Sequence, residues 1–129
     1  MTDVVLDASA LLAMLRKEPG GESVRDVLPQ SRMSAVNFAE VVGHLVRTGV
    51  PASDIDAILA RLQIRVVDAD IALARAAGQL RGSTAEAGLS LGDRFCLALG
   101  ERDRLPVWTA DRQWRAVADK VGVEIVLIR

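Results

Sequence analysis

Short runs of β-branched and apolar residues alternate along this chain with stretches of helical periodicity, and that alternation limits the fold more than any other feature. Strand, helix, strand closes into a right-handed parallel unit, so repeated alternation predicts an α/β domain with a parallel sheet. Strands are predicted at residues 4–6, 32–34, 64–67, 107–109 and 125–128. The first and last, Val4-Val5-Leu6 and Ile125-Val126-Leu127-Ile128, are continuously apolar, as strands covered on both faces are. Helices are predicted over residues 10–17, 23–28, 36–47, 53–62, 70–81, 91–102 and 112–120. The clearest of them places Ile55, Ile58, Leu59 and Leu62 at i, i+3, i+4 and i+7 behind a Ser53-to-Asp56 capping box. Turn-rich breaks fall at residues 19–21, 49–51 and 82–84. No repeat, low-complexity tract or long linker divides the chain, so residues 1–129 are expected to form one domain.

Composition excludes several classes. With 50% hydrophobic residues and a formal charge of −1, the chain carries enough apolar surface to fold around a core. The longest uncharged stretch of an apolar run, Ala8 to Leu15, is too short to span a membrane. Asp3 and Asp7 stand where a signal peptide needs a basic flank and an unbroken apolar region, so a cytoplasmic location without membrane attachment is expected. The single cysteine, Cys96, and the single histidine, His44, cannot build a soft-metal site between them. Neither G-x-G-x-x-G nor a Walker lysine motif occurs, which argues against nucleotide-driven chemistry. The balance of 16 basic against 17 acidic residues does not by itself indicate a nucleic-acid partner. Gathering four of the acids into one site would, however, leave the remaining surface basic.

Four acids stand in suggestive places, because ligands of open α/β sheets collect beyond the carboxyl ends of the strands. Asp7 directly follows the first strand, and Asp111 comes just after Val107-Trp108-Thr109; each reads equally as a helix N-cap. Asp93 completes a capping box with Ser90, yet the positions stacked over it, Cys96, Leu97 and Gly100, do not belong to a solvated face. Glu40 lies opposite the apolar stripe of Phe38, Val41, Val42 and Leu45, beside Asn37, His44 and Arg47, as a surface glutamate would. Two carboxylates about 5 Å apart repel by about 3 kcal/mol at an effective dielectric near 20, so four together need protons or a cation. All-oxygen ligands suit Mg²⁺ or Mn²⁺, and such an ion acidifies a bound water and stabilises charge developing on a phosphate.

Taken in order, Val5-Leu6-Asp7-Ala8-Ser9-Ala10-Leu11, Asn37-Phe38-Ala39-Glu40-Val41, Leu89-Ser90-Leu91-Gly92-Asp93 and Trp108-Thr109-Ala110-Asp111 resemble the PIN-domain ribonucleases over nearly the whole chain. Within that family the chain is most similar to the small VapC-type toxins of toxin-antitoxin pairs. The resemblance implies a three-layer α/β/α domain with a five-stranded parallel sheet. It also implies an acidic Mg²⁺ (or Mn²⁺) pocket of Asp7, Glu40, Asp93 and Asp111, supported by the Thr109 hydroxyl. The activity implied is endonucleolytic cleavage of RNA by a homodimer held inactive by a cognate antitoxin. Two positions depart from the family's pattern: Arg94 replaces a small residue after the third acid, and Gly100 stands where an alanine-like residue is usual.

Arg94, Arg112 and Arg47 are candidate RNA contacts, although each also reads as an ordinary surface arginine. Trp108 and Trp114 read as core residues rather than base-stacking platforms, and His44 as a solvated residue rather than a general base. Rival readings are a catalytically inactive PIN-like interaction module and a phospho-receiver domain using Asp68 as acceptor and Thr109 as switch. An aspartyl-nucleophile phosphatase is disfavoured because Ser9 occupies the place of its second aspartate.

Overall fold

Five strands, β1 (Val4–Leu6), β2 (Ser31–Ser34), β3 (Arg65–Val67), β4 (Val107–Thr109) and β5 (Ile125–Leu127), pair in parallel in the order β3-β2-β1-β4-β5 in the computed structural model, which describes residues 2–129. The apolar triad of β1 takes the centre of the sheet and is buried throughout. Its register sets Val5 beside Arg32 on one side and Val107 on the other. Seven α-helices connect the strands among the described residues: α1 (Ala8–Leu15), α2 (Gly21–Val27), α3 (Ala35–Arg47), α4 (Ala52–Leu62), α5 (Ile71–Gln79), α6 (Arg81–Thr84) and α7 (Leu91–Asp103).

Alternation along β1 splits the core in two. Val4 and Leu6 face one way and pack with Met33 against Leu11, Val41, Leu45 and Ile55 from α1, α3 and α4. Val5 faces the other way, with Val107, against Leu73, Leu97, Leu99 and Trp114. The result is the expected three-layer α/β/α arrangement, each wholly buried aliphatic side chain contributing roughly 1.5–3 kcal/mol over exposure. Trp114 is 0% exposed, a core residue as expected.

Several boundaries differ from expectation for local reasons. Helix α4 starts at Ala52 behind Pro51, whose carbonyl takes the Asp54 and Ile55 N–H groups. Ser53 therefore lies inside the first turn, and the Ser53-to-Asp56 capping box does not form. Helix α1 begins at Ala8, immediately after Asp7, and Asp70 is the side-chain cap of α5 rather than its first residue. The Gly82-Ser83-Thr84 break is helical, because the Thr84 hydroxyl donates back to the Leu80 carbonyl at 2.8 Å and ties the turn down. Residues 112–120, expected as an α-helix, instead form a 3₁₀ helix over Arg112–Val117 followed by turns. Strand β5 lies at the sheet edge and is half-buried rather than covered on both faces. No helix is long and apolar enough to cross a membrane among the described residues.

At the amino end of the sheet, Arg32 holds Asp3 at 2.7 Å and Asp103 at 3.0 Å, joining β2 to the end of α7. Burial would raise the Asp103 carboxyl, but hydrogen bonds from Arg102 and Arg32 outweigh it and hold its pKa below the usual value. With side-chain exposures of 17% and 14% for Arg32 and Asp103, this pair lies between the surface and buried regimes. Arg32→Gln is expected to cost about 2 kcal/mol in urea unfolding at neutral pH. A carboxyl with a lowered folded pKa stabilises the fold above its unfolded pKa of 3.8, and that contribution is lost as pH falls through the folded value. The difference between variant and wild type is therefore expected to shrink in acid.

Candidate functional site

Asp7 ends the central strand and stands at the N-cap of α1 without capping it through its side chain. Its Oδ2 instead accepts hydrogen bonds from Ser9 Oγ at 2.6 Å and Thr109 Oγ1 at 3.0 Å. Thr109 is within reach because the β1–β4 pairing carries the Asp7 N–H onto the Trp108 carbonyl at 2.9 Å. Each hydroxyl is fixed from behind by a backbone donor, Ala110 N to Ser9 Oγ at 2.9 Å and Asp111 N to Thr109 Oγ1 at 3.1 Å. Both hydroxyl hydrogens are thereby directed at one carboxylate oxygen, Asp7 Oδ2. Ser9 was legible only as part of the Asp7-Ala8-Ser9 run, since nothing in the sequence points a serine in a helix's first turn back at the preceding aspartate.

Glu40 is held by a residue that pattern alone places on the solvated face. Asn37 is 0% exposed. Its amide donates to Glu40 Oε1 at 2.8 Å and to the Gly92 carbonyl at 2.9 Å, while its Oδ1 accepts from Ser34 Oγ at 2.9 Å. One side chain thus ties the Glu40 carboxylate to the first turn of α7. Gly92 permits the approach: a Cβ there would meet Glu40 Oε2 at 2.5 Å. The neighbouring Asp93 forms the expected capping box, its Oδ2 accepting from Ser90 N at 2.9 Å and its own N–H donating to Ser90 Oγ at 3.2 Å. Asp111 likewise caps the 3₁₀ helix through Gln113 N at 2.9 Å.

The electrostatics show which acids share a space. Burial, with the nearby charges of Asp93 and Glu40, pushes the Asp7 carboxyl up to about 6 against the pull of its two hydroxyl bonds. Burial also raises Glu40, opposed by Asn37 and assisted by Asp93. For Asp93, burial and the Asp111 charge outweigh the Ser90 bonds and the nearby Arg94. Asp7, Glu40, Asp93 and Asp111 therefore face one rim of the sheet. They are not drawn into a tight cluster: among the described residues, no three acidic, histidine or cysteine side chains stand close enough together to hold a metal ion. The donor chemistry nevertheless fits a hard divalent cation. Asp7 is 4% exposed, and its side-chain partners among the described residues are two hydroxyls and no basic group, while burial and the same acids keep the Cys96 thiol protonated.

Arg94 is no ordinary surface arginine. It is 9% exposed, and its Nε donates to the Ser90 carbonyl at 3.4 Å without forming an ion pair among the described residues. Arg112 is exposed directly after Asp111, and Arg47 is exposed on α3. Asp68 lies exposed beyond edge strand β3, with β2 between it and the strand of Asp7, which removes the basis for a receiver-type site.

The PIN domain family model matches residues 4–120. The chain belongs to the PIN-domain family. VapC ribonuclease Mb2780c of Mycobacterium bovis is 35% identical over 112 residues, covering 76% of this chain and 82% of that relative. Ribonuclease VapC42 of Mycobacterium tuberculosis matches to the same extent. Among solved structures, the DNA-bound VapBC of Salmonella typhimurium superposes with a TM-score of 0.76 at 17% identity over 100% of both chains. A toxin-antitoxin complex from Klebsiella pneumoniae gives 0.74 at 16% identity over 98% of each. Mycobacterium tuberculosis VapC20, a sarcin-ricin loop cleaving toxin, gives 0.70 at 17% identity, covering 88% of this chain and 94% of its own. At such identities these structures establish the PIN fold, and the family model and the VapC relatives establish the membership.

The raised Asp7 pKa of this PIN domain has a measurable consequence. A carboxyl that rises from 3.8 to about 6 on folding binds more protons folded than unfolded between those values, so stability falls as pH rises through them. The loss amounts to about 3 kcal/mol. Metal-free protein is expected to unfold at lower urea concentration at about pH 7.5 than at about pH 5, and Asp7→Asn to flatten most of that difference. An unchanged wild-type midpoint across this range would refute the assignment.

Proposed function

We propose that the protein is a divalent-metal-dependent endoribonuclease, the toxin of a toxin-antitoxin pair. The observation that carries this reading is a buried carboxylate, Asp7, at the carboxyl end of the central strand, with hydroxyl donors and acidic neighbours and, among the described residues, no ion pair to a basic side chain. The names of the VapC ribonuclease relatives and of the VapBC complexes support the same reading for substrate and partner.

In this reading Asp7 and Asp93 hold Mg²⁺ or Mn²⁺ directly, with Glu40 and Asp111 completing the site directly or through water. When bound, such a cation neutralises charge developing on the phosphate and makes water more acidic. Ser9 and Thr109 fix which oxygen of Asp7 is occupied and leave Oδ1 free. Asn37 fixes Glu40 relative to α7, and the two caps hold Asp93 and Asp111 at helix starts. Arg94 and Arg112 contact the RNA backbone at the rim, where their charge offsets that of the acids. The protein works in the cytoplasm as a homodimer, and its cognate antitoxin occupies the acidic pocket when the toxin is silent.

A second reading, an inactive interaction module, draws on the absence of three closely gathered ligands among the described residues and on the engagement of Asp93 and Asp111 as caps. Cleavage of cellular RNA by the purified, antitoxin-free protein separates the two. Discrete fragments are expected with Mg²⁺ or Mn²⁺ and none with EDTA, and Asp93→Asn is expected to lower the rate by about a hundredfold or more while the metal-free fold is no less stable. Wild-type cleavage by Asp93→Asn would remove that residue from the mechanism. Loss of both cleavage and metal binding in the wild type would favour the inactive module.

Gly92→Ala probes the geometry rather than the charge. Alanine suits a helix better than glycine by up to about 1 kcal/mol, but moving Glu40 takes an acceptor from the buried Asn37 amide at a cost of similar size, so thermal unfolding is expected to change little. Its methyl group displaces the Glu40 carboxylate, and cleavage is expected to fall at least about tenfold. Full activity with full stability would show that the position of Glu40 does not matter.

A further inference from the structure

Beyond the acidic rim, two arginines meet one histidine in an arrangement that their own hydrogen-bonding capacity does not satisfy. Arg16, at the end of α1, places Nη1 3.0 Å from His44 Nε2, and Arg47 places Nη2 3.2 Å from His44 Nδ1. A guanidinium only donates, and a neutral imidazole has one acceptor nitrogen and one N–H. One of the two contacts therefore sets donor against donor, and protonating the ring would make both do so. Nearby acid does not resolve this. Glu18 already takes Arg16 at 3.4 Å and Arg129 at 3.0 Å, and Arg47 has no carboxylate partner among the described residues. The group brings three guanidiniums to one carboxylate in a chain whose formal charge is −1.

Position gives this surplus of donors its meaning. Glu40, His44 and Arg47 fall at i, i+4 and i+7, on one face of α3, and a helix rises 1.5 Å per residue, so the imidazole lies about 6 Å beyond Glu40 along the axis. We infer that Arg16, His44 and Arg47 form a phosphate subsite that receives a backbone phosphate of the RNA adjoining the one held at the acidic rim. The inference rests on the nuclease reading. A phosphate oxygen accepts the hydrogen that has no acceptor within the cluster, and the two arginines flank it as charge-assisted donors. Strands entering among four carboxylates meet repulsion there, and cationic groups on the adjoining face offset it. An acidic peptide would offer similar oxygens, but a phosphodiester chain held at the acidic rim carries further phosphates at a regular spacing within reach of this face.

Fluorescence anisotropy of a labelled single-stranded RNA oligonucleotide, with the full chain in EDTA over a series of salt concentrations, tests the subsite. Arg16→Gln with Arg47→Gln is expected to weaken binding about tenfold at low salt and to lower the slope of log affinity against log salt by roughly 0.7 for each phosphate no longer neutralised. In metal-activated cleavage the same variant is expected to raise KM and leave kcat unchanged, whereas Arg47→Lys keeps most of the affinity. Unfolding should not change, because both arginines are exposed. Unaltered affinity and slope in a variant whose wild type binds and cuts RNA would overturn the subsite alone. So would a variant that loses affinity for an Asp/Glu-rich peptide but not for RNA. A wild type that neither binds nor cuts RNA would overturn the subsite and the nuclease reading together.

Discussion

The site depends on one costly arrangement, a carboxylate buried at the end of the central strand among like charges. Asp7 cannot be solvated there, so its environment must be made of donors, and the two hydroxyls that serve it come from Ser9 on its own helix and Thr109 on the neighbouring strand. Both hydroxyls are oriented by main-chain N–H groups of the segment after β4. Backbone pairing between β1 and β4 is therefore what keeps the acid tolerable. The same pairing brings the turn bearing Asp111 onto the rim, so sheet register and site chemistry cannot be varied separately.

Asp93 and Asp111 show how local structure and function can draw on one side chain. Each satisfies an orphan N–H at a helix start and also adds negative charge to the rim. A helix start favours the ionised form of such a carboxylate, which offsets part of the burial that raises Asp93. Capping and site chemistry are not rival explanations for these residues, since a cap is also a way of holding a carboxylate at a fixed place and angle.

Much of this was readable from the chain because apolar runs report burial directly. Val4-Val5-Leu6 announced a central strand, and with it the special place of Asp7; the order of strands and helices then followed from alternation. What escaped were residues whose setting arises from elements distant in sequence. Asn37 looks like a surface residue on a helical wheel, yet α7 packs over it and buries it completely. Arg94 was legible as a departure from the family's pattern but not as a buried guanidinium, because an arginine in a helix's first turn reads by default as solvated. Helix boundaries slipped where proline or a short 3₁₀ segment outweighed side-chain pattern, at Pro51 and at Arg112–Val117.

The Asn37 amide has a consequence for how this sequence can change. It holds the Glu40 carboxylate and the Gly92 carbonyl with its two hydrogens, and Gly92 in turn leaves just enough room for that carboxylate. Residues 37, 40 and 92 are therefore a single heritable unit rather than three sites. A shorter acid at 40 would open space for a side chain at 92 but leave the amide at 37 reaching for a missing partner, so tolerated replacements must arrive together, and the effects of single changes will not add.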